Sequence, residues 1–228
     1  MPVTPVVEAG TPGPFAVRDC VLVAIATGKR AQSLRELRDG LQSVAHGSIY
    51  FHFWGRLLRP RLDDTEFHND FAVWARHALH DKQLAERLAV LDPADFADLE
   101  QLRQELVDVV EERIDETETL VARRDHQFSF RLCQTVVFDT GVQIARPEDL
   151  AAAIPAMSLG SIYYHVIESR RREPVRIDDF RHWLAQHGER YDALCRQLAS
   201  IDPYFSSLAE LRDELGRVVG DYFRAVSA

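Results

Sequence analysis

The sequence predicts a mainly α protein of two tandem, pseudo-equivalent helical repeats packed about an approximate two-fold axis, with at most short strands at the start of each repeat. Three observations carry this expectation. The hexapeptide Gly47-Ser48-Ile49-Tyr50-Phe51-His52 returns as Gly160-Ser161-Ile162-Tyr163-Tyr164-His165, with one aromatic exchanged. A gapless alignment of residues 15–52 on 128–165 matches 12 of 38 positions, where chance gives about two, the signature of an internal repeat. Beyond the hexapeptides, apolar residues recur at helical rather than alternating spacing.

The shared positions are Phe15, Arg18, Cys20, Val23, Thr27, Gly28, Leu37, Gly47, Ser48, Ile49, Tyr50 and His52 with their counterparts. After four residues missing from the second copy, the match resumes with Asp70-Phe71 and Trp74 against Asp179-Phe180 and Trp183. It ends with Leu99, Leu102 and Leu106 against Leu208, Leu211 and Leu215. The expected organisation is a flexible arm (1–14), helical repeat 1 (15–115), a charged helix extension and linker (116–127), and helical repeat 2 (128–228). Each repeat is of a size that can hold its own core.

Within a repeat the elements follow from local chemistry. Asp19 can cap a helix over Cys20–Ala26 and Gly28 can end it with positive φ, although the β-branched residues there also allow a strand. Ser33 and Glu36 form a capping box opening a helix with Leu34, Leu37 and Leu41 on one face. In the second copy Pro147 takes the first helical position, followed by Glu148 and Asp149 where the helix dipole favours them. Ser48 and Ser161 are expected to cap the helices carrying Tyr and His. Asn69 caps a helix bearing Phe71, Trp74 and Ala78. Leu84, Leu88 and Leu91 make another short helix, broken by Pro93. Asp98 and Ser207 open two long closing helices with one-sided apolar stripes.

Composition bounds the function. Apolar residues make up 46% and charged residues 28%, which fits a globular chain rather than a disordered one. The longest apolar run, Cys20 to Ala26, is far short of a membrane span. Residues 1–14 lack the basic start and apolar core of a secretory signal. Cys20, Cys133 and Cys195 form no paired motif, which points to buried thiols in a reduced, cytoplasmic setting. A net charge of −9 disfavours nonspecific binding to nucleic acid or anionic membranes.

Four constellations invite a chemical reading. Ser48 and His52 share a helix face at i, i+4, like a nucleophile and a base. No glycine-flanked nucleophile turn surrounds Ser48, so the reading is a cap serine, a core tyrosine and a hydrogen-bonded core histidine. His68, His77 and His80 lie near Glu66 and Asp81, but no Glu-x-x-His is present and a solvated surface is expected, with no metal and no cofactor. Asp70 with Trp74, and Asp179 with Trp183, start helices; Arg18 and Arg131 are the matched cations that can pair with the aspartates. Residues 15–61 carry eight Lys or Arg against three Asp or Glu, and segment 33–61 reads helix, tight turn, helix.

That segment resembles the helix-turn-helix of TetR-type repressors, whose recognition helix runs Gly-Thr-Leu-Tyr-x-His-Phe. The resemblance covers about 30 residues; it lacks the Ala-Gly-Val turn and recurs at 160–165. It would imply phosphate contacts from Arg30, Arg35, Arg38, Arg56, Arg59 and Arg61. The whole of residues 15–226 is similar to an uncharacterised prokaryotic family that often occurs in tandem. The motifs are Phe128-Ser129-Phe130, Thr27-Gly28, Leu34 to Leu37, Ser161 to His165, Asn69-Asp70-Phe71 with Trp74, Leu84 to Leu88 and Ile201-Asp202-Pro203. The resemblance carries no activity with it.

The function expected from the sequence is a non-catalytic cytosolic module that binds a protein partner or a small ligand. The site would be a cleft between repeats, lined by Tyr50, His52, Trp74 and Arg18 with Tyr163, His165, Trp183 and Arg131. The alternative is a DNA-binding regulator using segment 33–61.

Overall fold

The computed structural model describes residues 12–58, 67–117, 120–172, 176–204 and 207–227. The expected arm (1–14) lies mostly outside these residues, as do Arg59, Arg61 and Glu66. Helices dominate, but the expectation of a mainly α fold with short strands is overturned by two strands of 17 residues, β1 (Phe15–Ala31) and β2 (Phe128–Ile144). They pair with each other in a two-stranded antiparallel sheet. The Cys20–Ala26 run is therefore extended, not helical. Val17, Val21, Val23, Ile25 and Thr27 put β-branched side chains at nearly every second position, the pattern that a pleated strand accommodates and a helix penalises.

The chain divides into two compact units, Val21–Val136 (unit I) and Met1–Cys20 with Val137–Ala228 (unit II). Each unit thus holds part of both strands. In unit I, Thr27 Oγ1 donates to the Phe130 carbonyl at 2.6 Å; in unit II, Thr140 Oγ1 donates to the Val17 carbonyl at 2.6 Å. Both threonines also accept from the backbone N–H two residues on, Lys29 and Val142. The intervening Gly28 and Gly141 have φ of +77° and +73°. Thr-Gly is thus a kink built into each strand, and glycine is required because an L side chain is strained at that φ.

Unit I contains α1 (Leu34–Ser43), α2 (His46–Trp54), α3 (Asp70–His77), α4 (Lys82–Ala89) and α5 (Leu99–Glu116). Side-chain caps set most starts. Ser33 accepts from Glu36 N, Asn69 from Ala72 N, Asp81 from Leu84 N, and Asp98 from Glu100 N and Gln101 N. Each satisfies an N–H that the first helical turn leaves without a partner. α2 is the exception: Ala45 precedes it without a side-chain cap. Ser48 lies inside the helix, fully buried, its Oγ making no hydrogen bond. α1 packs on α5 and α3 on α4, burying Leu37, Leu41, Phe71, Leu84, Leu88, Leu102 and Leu106.

Unit II contains α6 (Leu150–Ala156), α7 (Leu159–Ile162), α8 (Asp179–Ala185), α9 (Asp192–Ala199) and α10 (Leu208–Ser227). Pro147 opens a short 3-10 turn ahead of α6. The cap of α7 is Ser158, which accepts from Ser161 N, rather than Ser161 itself. α7 runs into a π-helical segment, Tyr163–Ile167, a wider turn that often marks a constrained or functional position. Ser207 and Glu210 form a reciprocal capping box at the start of α10, and α10 packs on α6.

Cys20 shows how this packing tunes chemistry. It is buried in unit II, and its thiol donates to the Gly160 carbonyl at 3.4 Å. Burial, reinforced by the nearby carboxylates of Asp19 and Glu168, pushes its pKa up to about 12. The thiol therefore stays protonated and unreactive at neutral pH. Iodoacetamide at about pH 8 is expected to leave Cys20 unmodified in the folded protein and to alkylate it in urea, read by peptide mass spectrometry. Equal labelling in both conditions would show that β1 does not hold its place.

No described helix is long and apolar enough to cross a membrane.

Candidate functional site

The site is built around a histidine–aspartate pair in each unit. In unit I, His52 on α2 is 2% exposed. Its Nδ1 lies 2.9 Å from Asp70 Oδ2 on α3, and its Nε2 accepts the backbone N–H of Arg131 at 3.1 Å. A backbone N–H can only donate, so Nε2 carries the lone pair, and Nδ1–H donates to the carboxylate. The ring is thus a neutral imidazole with both nitrogens engaged. Asp70 places its other oxygen 3.2 Å from the Arg56 guanidinium.

Aromatic packing fixes the pair. Phe128, at the start of β2, lies 4.7 Å from the His52 ring and 5.0 Å from Phe71, and Trp74 meets it edge-on at 5.8 Å. Trp74 Nε1 donates to the His126 carbonyl at 2.8 Å. β2 and the turn leading into it are therefore held against α2 and α3 by one bond from the strand to an imidazole, one from an indole to the turn, and the Phe128 ring.

Unit II repeats the histidine–aspartate pair, with its arginine on the same carboxylate oxygen as the histidine. His165 Nδ1 is 2.7 Å from Asp179 Oδ2, and Nε2 accepts the Arg18 N–H at 2.9 Å. Arg172 donates to Asp179 at 2.6 Å. Phe15 packs on His165, Phe180 and Trp183, and Trp183 Nε1 donates to the Gly13 carbonyl at 2.8 Å. Here the histidine sits in the π-helical turn.

The arginines that pair with the aspartates are therefore Arg56 and Arg172. Arg18 and Arg131, which the sequence marked for that task, contribute their backbone N–H to the histidines instead. Tyr50 and Tyr163 are core residues, 1% and 0% exposed, and Tyr50 stacks on Trp54 at 4.7 Å. The helix resembling a recognition helix is covered: Ser48–Gly55 are buried throughout. Asp81, one of the acids beside His77 and His80, caps α4 and pairs with Arg113 at 2.8 Å. Among the described residues no group of three or more His, Cys, Asp or Glu is placed to hold a metal ion.

A groove of about 420 Å³ opens beside the pair in unit I. Its apolar lining comes from Val73, Trp74, Ala78 and Phe128; its polar lining comes from His52, Asp70, His77, His126, Gln127, Ser129 and Arg131. Of these the sequence pointed to His52, Trp74 and Arg131 as ligand-facing. His126, Gln127 and Ser129 sit at the linker and the strand start, where composition reads only as charged and polar. The one signal available was the recurrence of the Phe-x-x-Arg spacing, Phe15 with Arg18 and Phe128 with Arg131, which marks a strand that the helices must grip.

No curated protein matches the chain. Among solved structures, OrfY from Thermoproteus tenax is similar, at 27% identity and a TM-score of 0.77, over 96% of this chain and 99% of that one. A family model matches residues 12–220, which places the chain in DUF5752, a family of unknown function.

Proposed function

We propose that the chain is a non-catalytic module that binds a small ligand in the groove of unit I, beside His52 and Trp74. The supporting observation is an open cavity next to an imidazole whose two nitrogens are both engaged. The cavity volume of about 420 Å³ falls in the range of small-molecule sites. His52 and Asp70 have the form of a base with its orienting carboxylate. Yet Nε2, the atom that would take a substrate proton, already accepts from the Arg131 backbone, and general-base catalysis needs that lone pair.

On this reading the two halves of the chain descend from one module. Both kept the histidine, aspartate and tryptophan as packing, while the ligand-facing polar set belongs to unit I. The positions of His77, His126 and Ser129 correspond to Gln186, Gly13 and Ala16. Three free cysteines fit a reducing, cytoplasmic setting. DNA binding through segment 33–61 finds no comparable support, because Ser48–Gly55, most of the helix that would enter a DNA groove, are buried.

Thermal unfolding against a panel of neutral sugars, nucleosides, amino acids, organic phosphates and carboxylates tests the proposal. At least one compound is expected to raise the Tm of the wild-type protein and not that of Ser129→Trp, whose indole fills the groove. A panel that shifts neither protein, or both equally, would overturn it, as would chemical conversion of the bound compound.

A further inference from the structure

We infer that the groove of unit I takes a small oxyanion carried on a flat or apolar body, such as a single-ring phosphomonoester or carboxylate. This rests on the groove being a ligand site and adds the class of ligand.

Charge is the first argument. The chain carries a net −9, yet the uncompensated charge in the described lining of the groove is a cation. Arg131 lines it, is exposed, and its guanidinium has no protein partner among the described residues. The exposed His126 ring is likewise without one, and the Ser129 hydroxyl is an uncommitted donor. Among the described lining residues the only carboxylate is Asp70, and its two oxygens are held by His52 and Arg56. No uncommitted acid is left in the described lining to repel an anion. Several other arginines of the unit are consumed: Arg38, Arg87 and Arg113 each pair with a carboxylate. Among the described residues Arg30, Arg35, Arg76 and Arg124 have no partner either, but they do not line the cavity. A guanidinium presents a planar fork of donors that matches carboxylate and phosphate oxygens.

Shape is the second argument. Trp74 and Phe128 form one wall, and the bond from Trp74 Nε1 to the His126 carbonyl fixes the indole before any ligand arrives. A preorganised aromatic wall beside a free cation suits a ligand with one apolar face and one anionic end.

Isothermal titration of the full chain with phenyl phosphate, benzoate and benzyl alcohol tests this. At least one of the two anions is expected to bind one-to-one, with benzyl alcohol about tenfold weaker or worse. Whichever anion binds more tightly names the phosphate or the carboxylate source. Arg131→Ala is expected to weaken anion binding about tenfold and Arg131→Lys to recover part of the loss. Arg35→Ala, a surface control, is expected to change nothing. The Tm of Arg131→Ala stays at the wild-type value, because its backbone N–H to His52 survives the substitution. Benzyl alcohol binding as well as the anions, an Arg131→Ala protein with unchanged anion affinity, or no anion binding at all would each overturn the inference. If neutral panel compounds bind while the anions do not, the ligand site itself stands and only its class is wrong.

Discussion

Replacing His52 by alanine is expected to cost about 3–5 kcal/mol of stability. Three losses coincide. The Arg131 N–H loses its acceptor at the point where β2 meets α2, and an unsatisfied buried donor costs about 1–3 kcal/mol. Asp70 loses its Nδ1–H donor, one of its partners beside Arg56. The space left beside Phe71 and Phe128, both packed on the imidazole, loses its ring contacts. Urea unfolding monitored by circular dichroism measures the cost. The matching change, His165→Ala, removes the acceptor of the Arg18 N–H and is expected to cost as much. Losses under about 1 kcal/mol would show that the histidines are surface ornaments of the fold rather than anchors of its strands.

Gly160→Ala and Gly47→Ala are expected to have opposite signs, although both glycines open the same hexapeptide. A Cβ on Gly160 would collide with the Asp19 carboxylate and the Cys20 carbonyl. The carbonyl is backbone of β1 and cannot swing away, so the strand must lift from α7, at a cost of about 2–4 kcal/mol. A Cβ on Gly47 would sit 3.9 Å from the Leu132 Cβ, an ordinary contact. There the substitution only removes a flexible residue from α2 and is expected to add about 0.5–1 kcal/mol. Thermal melts of the two single variants read the difference. Equal shifts of the same sign would mean that the two helices approach their strands alike.

Much of the local structure was legible. Ser33, Asn69, Asp98 and Ser207 each carry an oxygen that can meet an N–H two or three residues on, and that chemistry needs no knowledge of the rest of the chain. Leu37, Leu41, Leu102 and Leu106 declared their buried faces by spacing. The strands were not legible. Cys20–Ala26 is apolar enough for a buried helix or a strand, and the deciding partner lies more than 100 residues away, as in the bonds from Thr27 to Phe130 and Thr140 to Val17. The histidines were legible as hydrogen-bonded core residues, but their partners were not, for the same reason. His52 and Asp70 are 18 residues apart in the chain, and the backbone donor to Nε2 comes from 79 residues further on. The notion that Arg18 and Arg131 bind the aspartates followed charge alone, and charge does not say which atom of a residue faces inward.

By itself the sequence determined where helices start, which side chains are apolar enough to enter a core, and that a Gly-Ser-Ile-Tyr-x-His element occurs twice. Only the tertiary structure decided that β1 and β2 are long paired strands, that each histidine is closed off by a backbone N–H, and that one of two matched glycines has no room for a methyl group. Caps and helical stripes depend on neighbours within one or two turns, whereas acceptors, close approaches and the wall of a groove are supplied by segments that meet only after the chain has folded.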